Sequence, residues 1–359
     1  MARFVAADFF LSTIDSPPNI PDFMSRSRGH SIAGPLKKAH DDANIIRTLT
    51  GKGMDENNAA GPDLDLTGTP EEYVAALEAF DATVCEACAL SQAVGRRQAK
   101  PHAVYAANFF TRTCGHAVSM IRALPLSRWI RADFDHWDFG AVAGHARAIL
   151  EGHLTFRYLA EEPESPEHWS AKLNVMHLND CSRRLTLFRN LDDAEEVEGF
   201  EAQRAELQAR LKNNAWFMAL PEGLRKECLK GKYLTVASRD EMVLDSGWDP
   251  KKFNAYFDLL SQHTHTLTMS FYRMEPDGRG TGIENATDRG YMTTAMLVST
   301  TSLVEQMEKL IEFFPDVAPA RRGAASRFSP GPAVNAPEAQ RERSPPAPAK
   351  RRKSKFRRK

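Results

Sequence analysis

Helix start signals recur along this chain, and long alternating strand patterns do not. Thr69-Pro70-Glu71-Glu72 places an N-cap hydroxyl, a first-turn proline and a capping-box glutamate in order. The helix it opens is expected to run to about Gln98, because Pro101 follows. Ser165-Pro166-Glu167 opens another, toward Leu187, and Ser238-x-x-Glu241 is a further capping box. Asp249-Pro250 starts a stretch in which Phe253, Phe257, Leu260, Thr264, Leu267 and Phe271 recur at helical spacing. Further helices are expected over 36–49, 102–123, 139–161, 193–212 and 287–314. Lys232-Tyr233-Leu234-Thr235-Val236-Ala237 is the only short strand candidate. The fold class that follows is all-α: an irregular bundle of about eight to ten helices, packed ridge into groove.

Charge divides the chain. The totals of 47 basic and 47 acidic residues cancel, yet residues 318–359 hold thirteen Lys/Arg against Glu338 and Glu342. Residues 1–317 are left with 34 basic and 45 acidic side chains, so a body of net −11 precedes a segment of net +11. That segment is rich in proline and alanine and has little apolar area to offset its ordering entropy. It reads as a disordered tail ending in Lys350, Arg351, Arg352, Lys353, Lys355, Arg357, Arg358 and Lys359. The expected partner of this cluster is nucleic acid, bound without sequence preference. An anionic surface and a self-association with the acidic body are the alternatives. Three regions result: 1–68 as an extension of loops with a short helix, 69–317 as the helical domain, and 318–359 as the tail.

No apolar run is long enough to span a bilayer, and the first residues lack a cleavage-site pattern, so a cytoplasmic protein is expected. Five cysteines, an odd number, argue for reduced thiols rather than a disulfide framework. Cys85-x-x-Cys88, with Cys114 and His116, has the residue types of a zinc site. Its cysteines fall inside a helix, however, and read as small core residues; no metal or cofactor is expected. Gly278-Arg279-Gly280-Thr281-Gly282 follows a helix and lacks the strand context of a phosphate loop, so a flexible interhelical connection is expected.

Candidate chemistry lies on two helix edges. On a helical wheel of about 100° per residue, Arg147, Glu151 and Tyr158 share one stripe bordering an apolar face. Asn254, Asp258, Ser261, His265 and Tyr272 border the apolar face of the helix that begins at Pro250. Packing the stripes together would assemble Arg147, Glu151, Ser261 and His265, with the arginine as anion holder and the histidine as acid or base. Left apart, the same stripes are boundary layers with local pairs.

Arg147 and His153, with five residues between them, also fit the loose Arg-x(4–6)-His pattern of HEPN ribonucleases. On the wheel His153 falls amid Val142, Ala146, Ile149 and Leu150, which marks it as a core histidine. Arg147 and Glu151 before Tyr158-Leu159, then Leu260-Ser261 with His265, resemble the bacterial helical family catalogued as domain of unknown function 5677. Phe257 stands where that pattern has tyrosine, with Tyr256 adjacent. The resemblance covers roughly residues 75–312 and implies a helical fold and the paired stripes, but no established activity. Three function classes stay open. One is a helical body with a polar pocket and a nucleic-acid-binding tail. The others are a metal-independent ribonuclease using Arg147 with His265 or His153, and an interaction protein whose stripes only pack.

Overall fold

The computed structural model describes residues 68–272, 274 and 278–332. The expected helix at 36–49, the loop at 51–67 and the basic cluster Lys350–Lys359 lie outside them. Within them the chain is all-α, and nine helices have seven residues or more. The long ones are α1 (Pro70–Val94), α2 (Pro101–Ala123), α3 (Phe139–Ala160), α4 (Pro166–Asn190) and α5 (Ala194–Lys212). The short α6 (Ala215–Met218), α7 (Glu222–Leu229) and α8 (Arg239–Asp245) follow. Then come α9 (Pro250–Thr264), α10 (Thr268–Phe271) and α11 (Ala286–Phe313).

Local chemistry sets most of the starts. Thr69 Oγ1 accepts from Glu72 N at 3.2 Å and Glu72 Oε2 accepts from Thr69 N at 2.8 Å, a reciprocal capping box. Ser238 and Glu241 repeat it at α8. Ser165, Asp193, Asn214, Asp249 and Asn285 each cap the helix they precede.

Helices α1, α2, α3 and α11 form the main bundle, with α9 laid against α3 and α8 at its end. Its core runs from Tyr73, Phe80 and Leu90 through Phe110 and Met120 to Phe156, Met296 and Leu310. Gly152 lets α2 approach α3 closely, since a Cβ there would stand 3.0 Å from Thr113 Oγ1. Helices α4 to α7 form a second, smaller cluster around Val175, Leu178, Leu185, Leu211 and Phe217.

Four expectations change. The helix from Pro250 stops at Thr264: Thr266 has φ of +52°, and Leu267 begins a separate turn despite keeping the apolar period. Residues 232–237 form no strand; Asn179 Nδ2 donates to the Gly231 and Lys232 carbonyls at 2.9 and 3.2 Å. The glycine-rich segment is anchored: Trp137 N donates to Gly282 O at 3.0 Å, and Gly282, at φ of +77°, lies so close to the His136 ring that a Cβ would clash. Residues 318–332 follow α1 instead of leaving the body. Arg321 Nε and Gly323 N donate to the Glu86 carboxylate at 3.0 and 2.7 Å, and Phe328 stacks on Trp129 at 5.6 Å. Among the described residues no helix is long and apolar enough to cross a membrane.

Candidate functional site

Helix α9 packs on α3, but the four polar side chains of the two edge stripes do not converge. Arg147 lies over the ring of Phe257 at 4.8 Å, and Arg239 lies over the same ring at 4.6 Å. Glu151 reaches Arg147 only at 3.6 Å and is 54% exposed, an i,i+4 surface pair. Ser261 Oγ donates to the Phe257 carbonyl one turn back at 2.6 Å. His265 caps the end of α9; its backbone N–H reaches Ser261 O at 3.1 Å while its ring is exposed. The aromatic side chain at 257 thus occupies the place at Arg147 that the paired stripes assigned to a polar partner. No hydrogen bond or ring contact joins Arg147 to a histidine among the described residues.

His153 is fully buried, as its wheel position implies. Its ring stacks on Trp248 at 5.4 Å, and Nε2 stands 3.1 Å from Glu305 Oε2, outside hydrogen-bond geometry. Neither ring nitrogen makes a hydrogen bond among the described residues. Trp248 Nε1 donates to the other oxygen of Glu305 at 3.2 Å. The cysteines behave as core thiols: burial pushes Cys85 up to about 12, far from a reactive thiolate. No group of three or more His, Cys, Asp or Glu suited to a metal occurs among the described residues.

Two residues from His265, the sequence holds a buried cluster that the wheel did not single out. Arg279, from the glycine-rich segment, donates through Nε to Asp288 Oδ1 at 2.8 Å, and its Nη2 stands 3.2 Å from His263 Nε2. All three are buried. His263 Nδ1 lies 2.9 Å from the Leu259 carbonyl, so Nδ1 carries the proton and Nε2 accepts from the guanidinium. Burial is the main reason that His263 titrates below the ordinary histidine range, which keeps it neutral in this role. Asn285 Nδ2 donates to Asp288 Oδ2 at 2.8 Å and completes the carboxylate. With the guanidinium and the carboxylate paired and the groups buried, this network holds α9, the glycine-rich segment and α11 together. The available signals were an arginine between two glycines and a histidine three residues after the core residue Leu260.

The concave surface lies elsewhere. A groove of about 320 Å³ between α2 and α3 is lined by Glu151, Arg112, His116 and Thr155. A larger cleft, about 900 Å³, opens where the end of α3 and α8 face the start of α4 and α6. Tyr158, the third member of the first stripe, lines it together with Lys172, His168 and Trp216. Comparisons with protein-family models, curated proteins and solved structures found no match.

Proposed function

We propose that this is a polyanion-binding protein in which a helical body carries a basic C-terminal segment that holds nucleic acid without reading its sequence. The observation that carries the reading is the charge division, −11 in residues 1–317 against +11 in residues 318–359. Three of the segment's cations are already placed on the body: Arg321 pairs with Glu86, while Arg322 and Arg327 lie in the stretch beside α1. The ten remaining Lys/Arg, eight of them between positions 350 and 359, follow the last described residue, Pro332.

Phosphate neutralisation by such a cluster releases counterions, so affinity falls steeply with salt and little with base sequence. The ribonuclease alternative needs Arg147 beside a proton-carrying histidine, whereas His153 is sealed in the core and His265 is exposed at the end of α9. The resemblance to domain of unknown function 5677 rests on Arg147, Glu151, Tyr158, Leu159, Leu260, Ser261 and His265 alone.

The test compares the full chain with a full-length variant in which the eight Lys/Arg of residues 350–359 are replaced by glutamine, titrated with DNA and RNA of several sequences. The full chain is expected to lose about 10³-fold or more in affinity between 50 and 200 mM salt if six or more phosphates are neutralised. The variant is expected to bind far more weakly and with a flatter salt dependence. Equal binding by both chains would overturn the reading.

A further inference from the structure

The cleft between the two helical clusters holds a lysine in an unusual position. Lys172, on the second turn of α4, is 1% exposed, yet it is a lining residue of a cleft of about 900 Å³. Its ammonium sits over the Tyr158 ring at 4.1 Å and pairs with Glu161 at 2.9 Å. That carboxylate is 64% exposed. A buried ammonium requires an anionic partner, and this one is held by an exposed side chain that a competing anion can displace. Lysine has three donor protons, and Glu161 is the only hydrogen-bond partner of Nζ among the described residues.

The remaining groups around the cleft are mostly donors or already engaged. Arg157 is half-buried and makes one long bond, to the Asp245 backbone carbonyl at 3.4 Å, with no carboxylate partner among the described residues. Lys309 pairs with Glu312 at 2.5 Å. Of the acidic residues, Glu162 pairs with Lys100 and Glu241 caps α8, which leaves only the Asp245 carboxylate without such a partner. Tyr158 Oη accepts from Val236 N at 3.3 Å.

One wall is aromatic and flat. The His168 ring stacks on Trp216 at 4.3 Å with 12° between planes. His168 Nδ1 accepts from Glu164 N at 3.3 Å, so in the neutral ring the proton is on Nε2, a further donor. Burial, and then the nearby Lys172 charge, lower the His168 pKa and favour that neutral form. Leu220, Leu224 and Met242 extend the wall with apolar surface.

We infer that the cleft is a binding site for a flat aromatic molecule bearing a carboxylate or phosphate, its acidic group taken by Arg157 and Lys172 and its ring laid along the His168–Trp216 wall. The volume lies in the range of small-molecule sites, and the pattern of apolar wall plus a few convergent polar groups is that of such sites. A guanidinium and an ammonium supply charge-assisted hydrogen bonds to the acid. Displaced Glu161 turns outward into solvent. This site does not depend on the basic segment, so either reading can fail without the other.

Calorimetric titration of the full chain with two matched probe pairs tests it: adenosine 5′-monophosphate against adenosine, and indole-3-acetate against indole-3-acetamide. The charged member of at least one pair is expected to bind about tenfold or more tighter than its neutral partner, the effect of one charge-assisted contact. Arg157→Gln removes a partly exposed cation and is expected to keep the fold by circular dichroism while erasing most of that preference. Trp216→Ala is expected to weaken both members of the pair together. Lys172→Met tests the buried cation, and Glu161→Gln, which frees it, is expected to tighten the charged probe. Replacing the Lys/Arg of residues 350–359 by glutamine is expected to leave binding unchanged. Equal affinity for charged and neutral probes, no binding at millimolar concentration, indifference to Arg157→Gln, or loss of binding with the neutralised segment would each overturn the site.

Discussion

The two helical clusters are built by different means. The bundle of α1, α2, α3 and α11 has an extended core in which four long helices bury aromatic and aliphatic side chains along much of their length. The α4–α7 cluster has a much smaller set of fully buried apolar residues, Phe217 and a few leucines, valine, alanine and cysteines. Amide side chains that grip backbone take up part of its cohesion. Asn214 Nδ2 donates to Glu167 O at 2.9 Å while its Oδ1 caps α6 at Phe217 N, at 2.8 Å. Asn179 holds the 231–232 turn, and Gln208 Nε2 donates to Leu229 O at 2.8 Å.

Polar groups in the bundle do the opposite: Arg279, Asp288 and His263 are sealed where a missing partner leaves a buried charge. Apolar area makes the first region cooperative, whereas directed hydrogen bonds make the second dependent on a few single residues. The large cleft lies between them, where one wall belongs to the region with the larger core and the other to the region with the smaller one.

The largest expected effect is in the bundle. Asp288→Ala removes the carboxylate from a buried guanidinium and is expected to cost about 3–5 kcal/mol in urea unfolding. Amides of both regions should lose hydrogen-exchange protection together, because α4–α7 has too small a core to stand without its neighbour. Survival of α4–α7 protection in that variant would break the asymmetry. Asn214→Ala is expected to cost less, about 1–3 kcal/mol for one lost cap and one buried carbonyl left unpaired. Its exchange signature should be confined to α5, α6 and the start of α4. A uniform loss across α1, α3 and α11 would show the two regions to be one cooperative unit.

Protonation offers a gentler way to separate the regions. Burial lowers the pKa of His263 in the bundle and of His168 in the cluster below their unfolded values, near 6.5. Above that value neither state binds the proton and stability is unaffected. As pH falls below about 6.5, the unfolded chain binds protons first and stability declines until the folded-state values are passed. Urea midpoints at pH 7.5 and 5.5 measure the decline. His263→Gln is expected to lessen it for bundle amides, where burial also lowers His102, His116 and His145, and His168→Gln to lessen it for α4 and α6, where His177 is lowered as well. A decline that neither variant alters would detach these histidines from the pH dependence.

What the sequence exposes and conceals follows the range of each interaction. Helix starts are written in four consecutive residues, so Thr69–Glu72 and Ser238–Glu241 were legible, and the all-α bundle with them. The end of α9 was not legible, because Leu267 and Phe271 continue the apolar period while Thr266 turns the backbone to positive φ. A wheel could place Arg147 on an edge and α9 opposite it. It could not say that the Phe257 ring, rather than Ser261 or His265, would take the guanidinium, since that depends on the relative rotation of two helices. The Arg279–Asp288–His263 cluster joins three segments and leaves no local period. Lys172 reads as a surface lysine on α4 until Tyr158 and Glu161 from the end of α3 close over it.

The smallest expected effect settles the stripe of α3. Had Arg147, Glu151, Ser261 and His265 formed one buried network, Glu151→Gln would cost about 1–3 kcal/mol, as for any underpaired buried charge. The structure instead places Glu151 on the outside of α3, beside the groove with Arg112 and His116, and 3.6 Å from a guanidinium that already rests on an aromatic ring. An i,i+4 helix pair whose carboxylate is exposed contributes about 0.3–0.5 kcal/mol and is screened by salt, even with the guanidinium partly buried. Glu151→Gln is therefore expected to change stability by no more than about half a kcal/mol, less in 1 M salt, and to leave exchange in both helical regions unaltered. His265→Ala should be equally mild, and the two changes should add within about 0.3–0.5 kcal/mol, because no shared partner couples them. A coupling above about 1 kcal/mol in this double-mutant cycle would mean that α9 can rotate on α3 and bring His265 to Glu151. It would then return the four-residue arrangement of Arg147, Glu151, Ser261 and His265 to consideration.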